Sequence, residues 1–188
     1  MLNYDLFADQ YNMILKHGFQ RKVHQFIIEQ LKVETDLSQR LICELGCGQG
    51  SLAADLSGLG AKVIAIDSSE KQLEYARSLT DQVDWIQGDA LALPDTMKSE
   101  TFDIVISSLM LMDVPDHEAV FNESYRILKP GGIMIWMIMH PCFQSPFSYP
   151  MEDASRMCRI ILRSFGSRKG IIRSVLYLDR TTVQFHSI

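Results

Sequence analysis

Glu44-Leu45-Gly46-Cys47-Gly48-Gln49-Gly50 follows a short apolar run, Leu41-Ile42-Cys43, and precedes a helix-like stretch from Ser51 to Leu59. Three glycines at alternate positions in a strand-to-helix turn remove every Cβ that would block a ligand. The main chain can then approach a small molecule closely, and the helix that follows offers free N–H groups. The loop therefore predicts a ligand at the carboxyl end of a first strand, Leu41–Leu45.

Outward from this loop the chain alternates between strand and helix. Lys62–Ile66 reads as a second strand ending at Asp67, and Ser68 or Ser69 can cap the helix that runs on to about Leu79. Val83–Gln87 is a third strand leading to Gly88-Asp89, and Phe102–Ser107 a fourth. Asp116–Leu128 reads as a helix stopped by Lys129-Pro130-Gly131-Gly132, before a fifth strand, Ile133–Met139, that His140-Pro141 breaks. These strands are apolar throughout, as parallel strands buried on both faces are. Such alternation predicts an α/β fold with a doubly wound, mostly parallel sheet. Ligands of such sheets bind beyond the carboxyl ends of the strands, where strand order switches, and the glycine loop falls there. Before the sheet, Val23, Phe26, Ile27 and Leu31 repeat at helical spacing.

The length, 188 residues, suits one domain. It divides into a helical N-terminal lid over 1–40, a ligand-binding core over 41–143 and a divergent or truncated tail over 144–188. A net charge of −5 argues against a general nucleic-acid binder. The charge is uneven: from Met151 onward seven Lys/Arg face three Asp/Glu, whereas the first 150 residues hold eleven against twenty. Cys43, Cys47, Cys142 and Cys158 form no C-x-x-C pair and no zinc-like spacing with histidine, so no metal is expected. With no signal peptide and no apolar run of membrane-spanning length, the expected home is the reducing cytoplasm.

Acidic residues stand at two further strand ends. Asp67, twenty-one residues beyond Gly46, can accept from both hydroxyls of a ribose, and Asp89 from an exocyclic amine such as that of adenine. At this point the chain, from about Tyr11 to Phe143, resembles the class I S-adenosylmethionine-dependent methyltransferases. The matching features are the glycine loop 44–50, Asp67, Gly88-Asp89-Ala90, Phe102-Asp-Ile-Val-Ile-Ser107 and Arg126-Ile-Leu-Lys-Pro-Gly-Gly132, in that order. The resemblance implies a Rossmann-like methyltransferase fold and S-adenosylmethionine as cofactor. It further implies that Gly46, Cys47, Gly48 and Gly50 lie along the methionine part, that Asp67 with Ser68 holds the ribose, and that Asp89 and Ala90 meet the adenine. Ser107 would flank the methyl-donor end, Tyr11 would close over the cofactor carboxylate, and Glu44 would orient the loop. The segments Met110–Asp116 and His140–Phe143 look like those of a subgroup acting on small molecules.

The expected reaction is methyl transfer to a small-molecule acceptor by in-line displacement at the sulfonium methyl, which needs alignment and dryness above all. His140 is the candidate base for an O–H or N–H acceptor. Gly48-Gln-Gly50-Ser-Leu-Ala53 also satisfies G-x-G-x-x-A, so an NAD(P)-dependent oxidoreductase is the alternative, and a non-catalytic cofactor-binding fragment a third. The family closes with a helix, a sixth strand and an antiparallel seventh strand inserted between strands five and six. The chain is too short for that ending, so strand five is expected to be covered by Val175–Phe185 or to pair with a second copy.

Overall fold

The computed structural model describes residues 19–139, 174–178 and 183–184. In chain order the elements are α1 (Phe19–Glu34), β1 (Leu41–Leu45), α2 (Ser51–Gly58), β2 (Lys62–Asp67), α3 (Glu70–Arg77), β3 (Val83–Gln87) and β4 (Phe102–Ser108). A 3-10 turn (Leu111–Asp113), α4 (His117–Ile127), β5 (Leu128–Met139), β6 (Ser174–Leu178) and β7 (Val183–Gln184) follow. The strands form one sheet in the order β3-β2-β1-β4-β5-β6-β7, parallel except for the β6–β7 pair. The order reverses at β1, which lies between β2 and β4, so the crevice expected of such a sheet opens above β1 and β4.

Side-chain alternation along the strands makes two cores. Ile42, Val63, Ala65, Ile104, Ile106, Ile135 and Met137 pack with α1 (Val23, Ile27, Leu31), α2 (Leu52, Ala53, Leu56) and Leu73 of α3. Cys43, Leu45, Ile66, Val105, Met134 and Trp136 face the other way, toward Val120 and Ile127 of α4 and Ala90, Leu93 and Met97 of the β3–β4 connection. Burial on both faces explains why β1, β2 and β4 are mostly apolar along their length, whereas the edge strand β3 carries the exposed Asp84.

The helices begin and end on recognisable signals. Ser69, not Ser68, caps α3 by accepting from Gln72 N, and Asp116 caps α4 by accepting from Ala119 N at 3.0 Å. The last turn of α2 closes with Gly60 N donating to Ser57 O and Ala61 N to Leu56 O, a Schellman arrangement. Arg126 on α4 donates to Glu123 and to Met97 O at 2.6 Å, while Glu123 accepts from Leu93 N. This small network ties the segment after β3 to α4 and so fixes the Gly88–Ala90 corner above it. Lys129 pairs with Asp103, whose other oxygen accepts from Leu41 N, clamping the amino ends of β1, β4 and β5 together.

One expectation is corrected at the fifth strand and another is met. Lys129–Gly132 does not separate helix from strand, because β5 starts at Leu128 and the stretch is accommodated inside it. Phe102 faces Leu128 while Ile104 faces Ile133, so five residues of β5 advance against two of β4. The surplus is bulged out, with Gly131 at φ 77°. Beyond it, Ile135–Met139 pairs in parallel with Ser174–Leu178, so of the two expected covers for strand five it is the stretch from Val175 onward, and not a second copy, that pairs with this edge. β6 lies directly on β5, and β7 lies outside β6 rather than between them. Only four residues separate β6 from β7, enough for an antiparallel return to the outer side and too few to cross back.

Candidate functional site

The glycine loop leaves β1 and is bound at once to β2: Gly46 N and Cys47 N both donate to Ile66 O, at 2.8 and 3.0 Å. Asp67, at the end of β2, then clasps it, Oδ2 accepting from Gly48 N at 2.7 Å and Oδ1 from Ser69 N at 2.9 Å. One carboxylate thus shapes the loop and starts α3, through charge-assisted bonds of the stronger kind.

The three glycines, all with positive φ, do three different things. A Cβ on Gly46 would overlap the side chain of Met110, and one on Gly50 would overlap the Trp85 ring and Ala76. A Cβ on Gly48 would meet nothing, because that residue faces open space. Gly46 and Gly50 therefore serve close packing, and Gly48 is the point at which a ligand can touch bare main chain. Met110 reaches Gly46 because Leu109 takes the left-handed conformation, φ 61°, unusual for leucine, with its N–H held by Met137 O.

Above the loop a cleft is walled by Gln20 and His24 of α1, by Glu44, Gly46, Cys47, Gly48, Gln49 and Ser51, and by Ile66, Asp67, Ser68 and Gln72. Gly88, Asp89, Ala90, Ser108, Leu109, Met110, Asp113 and Val114 complete it. Of the residues singled out from the sequence, Glu44, Gly46, Cys47, Gly48, Asp67, Ser68, Asp89 and Ala90 meet here. Gly50 does not line the cleft but seats Trp85. Ser107 is buried behind it, and its neighbour Ser108 takes the place at the wall. Asp89 stands exposed at the rim, where it also accepts from Leu91 N to hold its own turn. Tyr11 and His140 lie outside the described residues. His24, given no role in the sequence, is buried in the wall, with Nδ1 3.2 Å from Ser51 Oγ. A signal for it existed: His24 falls in line with Ile27 and Leu31, a polar residue set in an apolar helical stripe.

Electrostatics at the floor are unusual. Glu44 is 2% exposed; its carboxylate accepts from Ala53 N, serving α2 as a cap where Gly50 supplies no side chain. Burial, and then the nearby Asp67 charge, push its pKa up to about 8. Burial pulls His24 down to about 4, so its imidazole is neutral at pH 7. Four polar atoms on the cleft wall are buried without a partner: Glu44 Oε2, Gln49 Nε2, Gln72 Oε1 and Ser108 Oγ. Each such group costs about 1–3 kcal/mol until something satisfies it. Their clustering around one cleft marks a place built for a polar small molecule. Among the described residues no group of His, Cys, Asp or Glu is arranged to hold a metal ion, and no helix is long and apolar enough to cross a membrane.

A doubly wound sheet with a glycine loop, two strand-end acids and unsatisfied polar atoms around one cleft defines an α/β domain that binds a nucleoside-like ligand at its switch point. Residues 43–136, half of the chain, match the family model described as the methyltransferase domain, and the chain belongs to that family. A demethylmenaquinone methyltransferase of Lactococcus lactis subsp. lactis (strain IL1403) is 37% identical over 108 residues, covering 53% of this chain and 42% of that relative. A trans-aconitate 2-methyltransferase of Azoarcus sp. (strain BH72) is 30% identical over 160 residues, covering 80% of this chain and 59% of that relative. The crystal structure of an S-adenosylmethionine-dependent methyltransferase from Mesorhizobium loti superposes with a TM-score of 0.56 at 30% identity, covering 60% of this chain and 52% of that one. The chain thus spans well under two thirds of the length of these proteins. The family assignment leaves the oxidoreductase alternative without support.

Proposed function

We propose that the cleft binds S-adenosylmethionine and that the domain transfers its methyl group to a small-molecule acceptor. The observation that carries this reading is the set of four unpartnered buried polar atoms around one cleft, set between Asp67 and the bare main chain of Gly48. The residues present suit that molecule. Asp67, which accepts from Gly48 N and Ser69 N, turns its carboxylate to the cleft where ribose hydroxyls would lie, and Asp89 with Ala90 offers an edge for adenine. Gly48 leaves room along the amino-acid part, and Glu44 Oε2 is an acceptor for its ammonium. Bound there, the cofactor supplies an electrophilic methyl on a sulfonium centre.

What the chain itself contributes is position and dryness. Leu109, Met110 and Val114 form an apolar wall beside Ser108 at the end of β4, on the side where an acceptor would lie. Holding an acceptor in line with a reactive methyl lowers the barrier by roughly 7–11 kcal/mol in ideal cases. His140 directly follows β5 in the sequence and remains the candidate base, and Tyr11 the candidate lid residue. The acceptor is a small molecule, a class supported by the names of the relatives from Lactococcus lactis and Azoarcus. Two buried free thiols, Cys43 and Cys47, suit the cytoplasm.

Isothermal titration of the purified chain with S-adenosylmethionine, and with NADH as the contrasting ligand, tests the cofactor. Saturable binding of the first alone is expected. Binding of NADH with none of S-adenosylmethionine would overturn the assignment. Transfer of a labelled methyl to small molecules of a cell extract then tests turnover, and binding without transfer would reduce the chain to a cofactor-binding unit.

A further inference from the structure

We propose that His24, held by Ser51 and joined by Gln49, receives the carboxylate at the amino-acid end of the cofactor and sets the preference for ligands that carry that tail. The inference rests on the cofactor reading above and goes beyond it by assigning one end of the ligand to one corner of the cleft.

Charge distribution in the cleft leads to this corner. The acids on its wall are Glu44, Asp67, Asp89 and Asp113, and no lysine or arginine is among the described residues lining it. A ligand carboxylate therefore finds no cation to pair with there, and it is repelled from the side where the Asp67 carboxylate lies. Groups able to donate to it are concentrated where α1 meets the start of α2. Gln49 Nε2 is buried there without a partner. His24 is 6% exposed and lines the same wall. Its Nδ1 lies 3.2 Å from the hydroxyl of Ser51, the first residue of α2. When Ser51 donates to Nδ1, the single proton of a neutral imidazole is left on Nε2, so the ring is an N–H donor without being a cation. A corner built of neutral donors is one that a buried, otherwise acidic cleft can maintain; an imidazolium at that depth would be expelled by its own desolvation.

Two probes separate this role from a merely structural one. S-Adenosylhomocysteine carries the amino-acid tail, and 5′-methylthioadenosine is the adenosine thioether without it. Titration of the full chain is expected to show tighter binding of the tailed probe. His24→Ala is expected to weaken that probe about 10- to 100-fold, the loss of one hydrogen bond to a charged group, while leaving 5′-methylthioadenosine within about twofold. His24→Gln, which keeps an N–H donor, recovers part of the loss. Ser51 is exposed, so Ser51→Ala leaves the core alone; it is expected to weaken the tailed probe selectively, and it carries the test if His24→Ala fails to fold. Equal losses on both probes, or no loss on either in a folded variant, would overturn the assignment of His24 while leaving the cofactor site in place. A wild-type chain that binds neither probe would overturn both.

Discussion

Replacing Glu44 by glutamine removes an ionisable group whose charged form the fold resists, and the consequence is legible in stability against pH. The folded carboxyl titrates near pH 8, against an ordinary value of 4.5. Between those values the unfolded chain has lost the proton and the folded chain keeps it, so stability is complete below about 4.5 and falls with rising pH until about 8. His24 acts in the opposite sense. Its folded pKa is about 4 against 6.5, so from 4 to 6.5 the unfolded chain holds a proton the folded chain refuses, and stability rises with pH. From about 4.5 to 6.5 the two slopes, each about 1.4 kcal/mol per pH unit, cancel. From 6.5 to 8, of these two groups Glu44 alone titrates, and its contribution to stability is expected to fall by about 2 kcal/mol. Asp103 and Glu123, both held below the usual carboxylate range, titrate outside this window. Burial alone would raise Asp103, but the Lys129 and Leu41 N bonds outweigh it, and for Glu123 the Arg126 bond is the main cause. In Glu44→Gln the fall above 6.5 disappears and the rise between about 4.5 and 6.5 is uncovered. Urea denaturation at half-unit steps from pH 4.5 to 8.5 measures both. Parallel curves for the two proteins between pH 6.5 and 8 would refute the reasoning, because Glu44 would then be ionised already at neutral pH.

Three further outcomes follow from the loop and its supports. Asp67→Ala removes the acceptor of Gly48 N and Ser69 N, and is expected to cost about 2–3 kcal/mol in urea denaturation and to weaken S-adenosylhomocysteine in titration; unchanged affinity would take Asp67 out of the site. Gly48→Ala meets no neighbour and is expected to lose only about 1–2 kcal/mol for its left-handed backbone while abolishing ligand binding; Gly50→Ala adds about 1–3 kcal/mol of overpacking against Trp85. Arg126→Ala releases Met97 O, and hydrogen exchange is expected to speed at Leu93 and Met97 with little change in β1.

Local signals carried most of the fold. Apolar-rich runs bounded by glycine or acidic residues mark β1 and β3 at their observed ends and β2 and β4 within one residue; burial on both faces keeps β1, β2 and β4 mostly apolar, and Asp84 in the half-exposed edge strand β3 does not hide it. Lys129-Pro130-Gly131-Gly132 was misread for a reason the sequence conceals: a proline-glycine stretch marks a helix end and a bulge alike, and only the register of β4 against β5 separates them. Ser107 and Ser108 show the same limit at the scale of one residue, since a strand's alternation turns adjacent serines to opposite faces and sequence does not fix which faces the cleft. The resemblance implies a ligand contact for Gly50, whereas its missing Cβ accommodates an indole from β3, a contact thirty-five residues away. His24 shows in the sequence only as a polar residue in an apolar helical stripe, and it acquires meaning only when α1 is laid beside Ser51.

The seating of Trp85 on Gly50 has a practical consequence. The chain contains two tryptophans, and the other, Trp136, is sealed in the opposite core with its ring edge-on to Phe121. Trp85 is half-buried, its Nε1 donates to Thr80 O, and its ring rests on the last residue of the loop. Any rearrangement of that loop changes the surroundings of one indole and leaves the second as an internal reference. The domain thus carries its own fluorophore, able to follow occupancy and kinetics without a label.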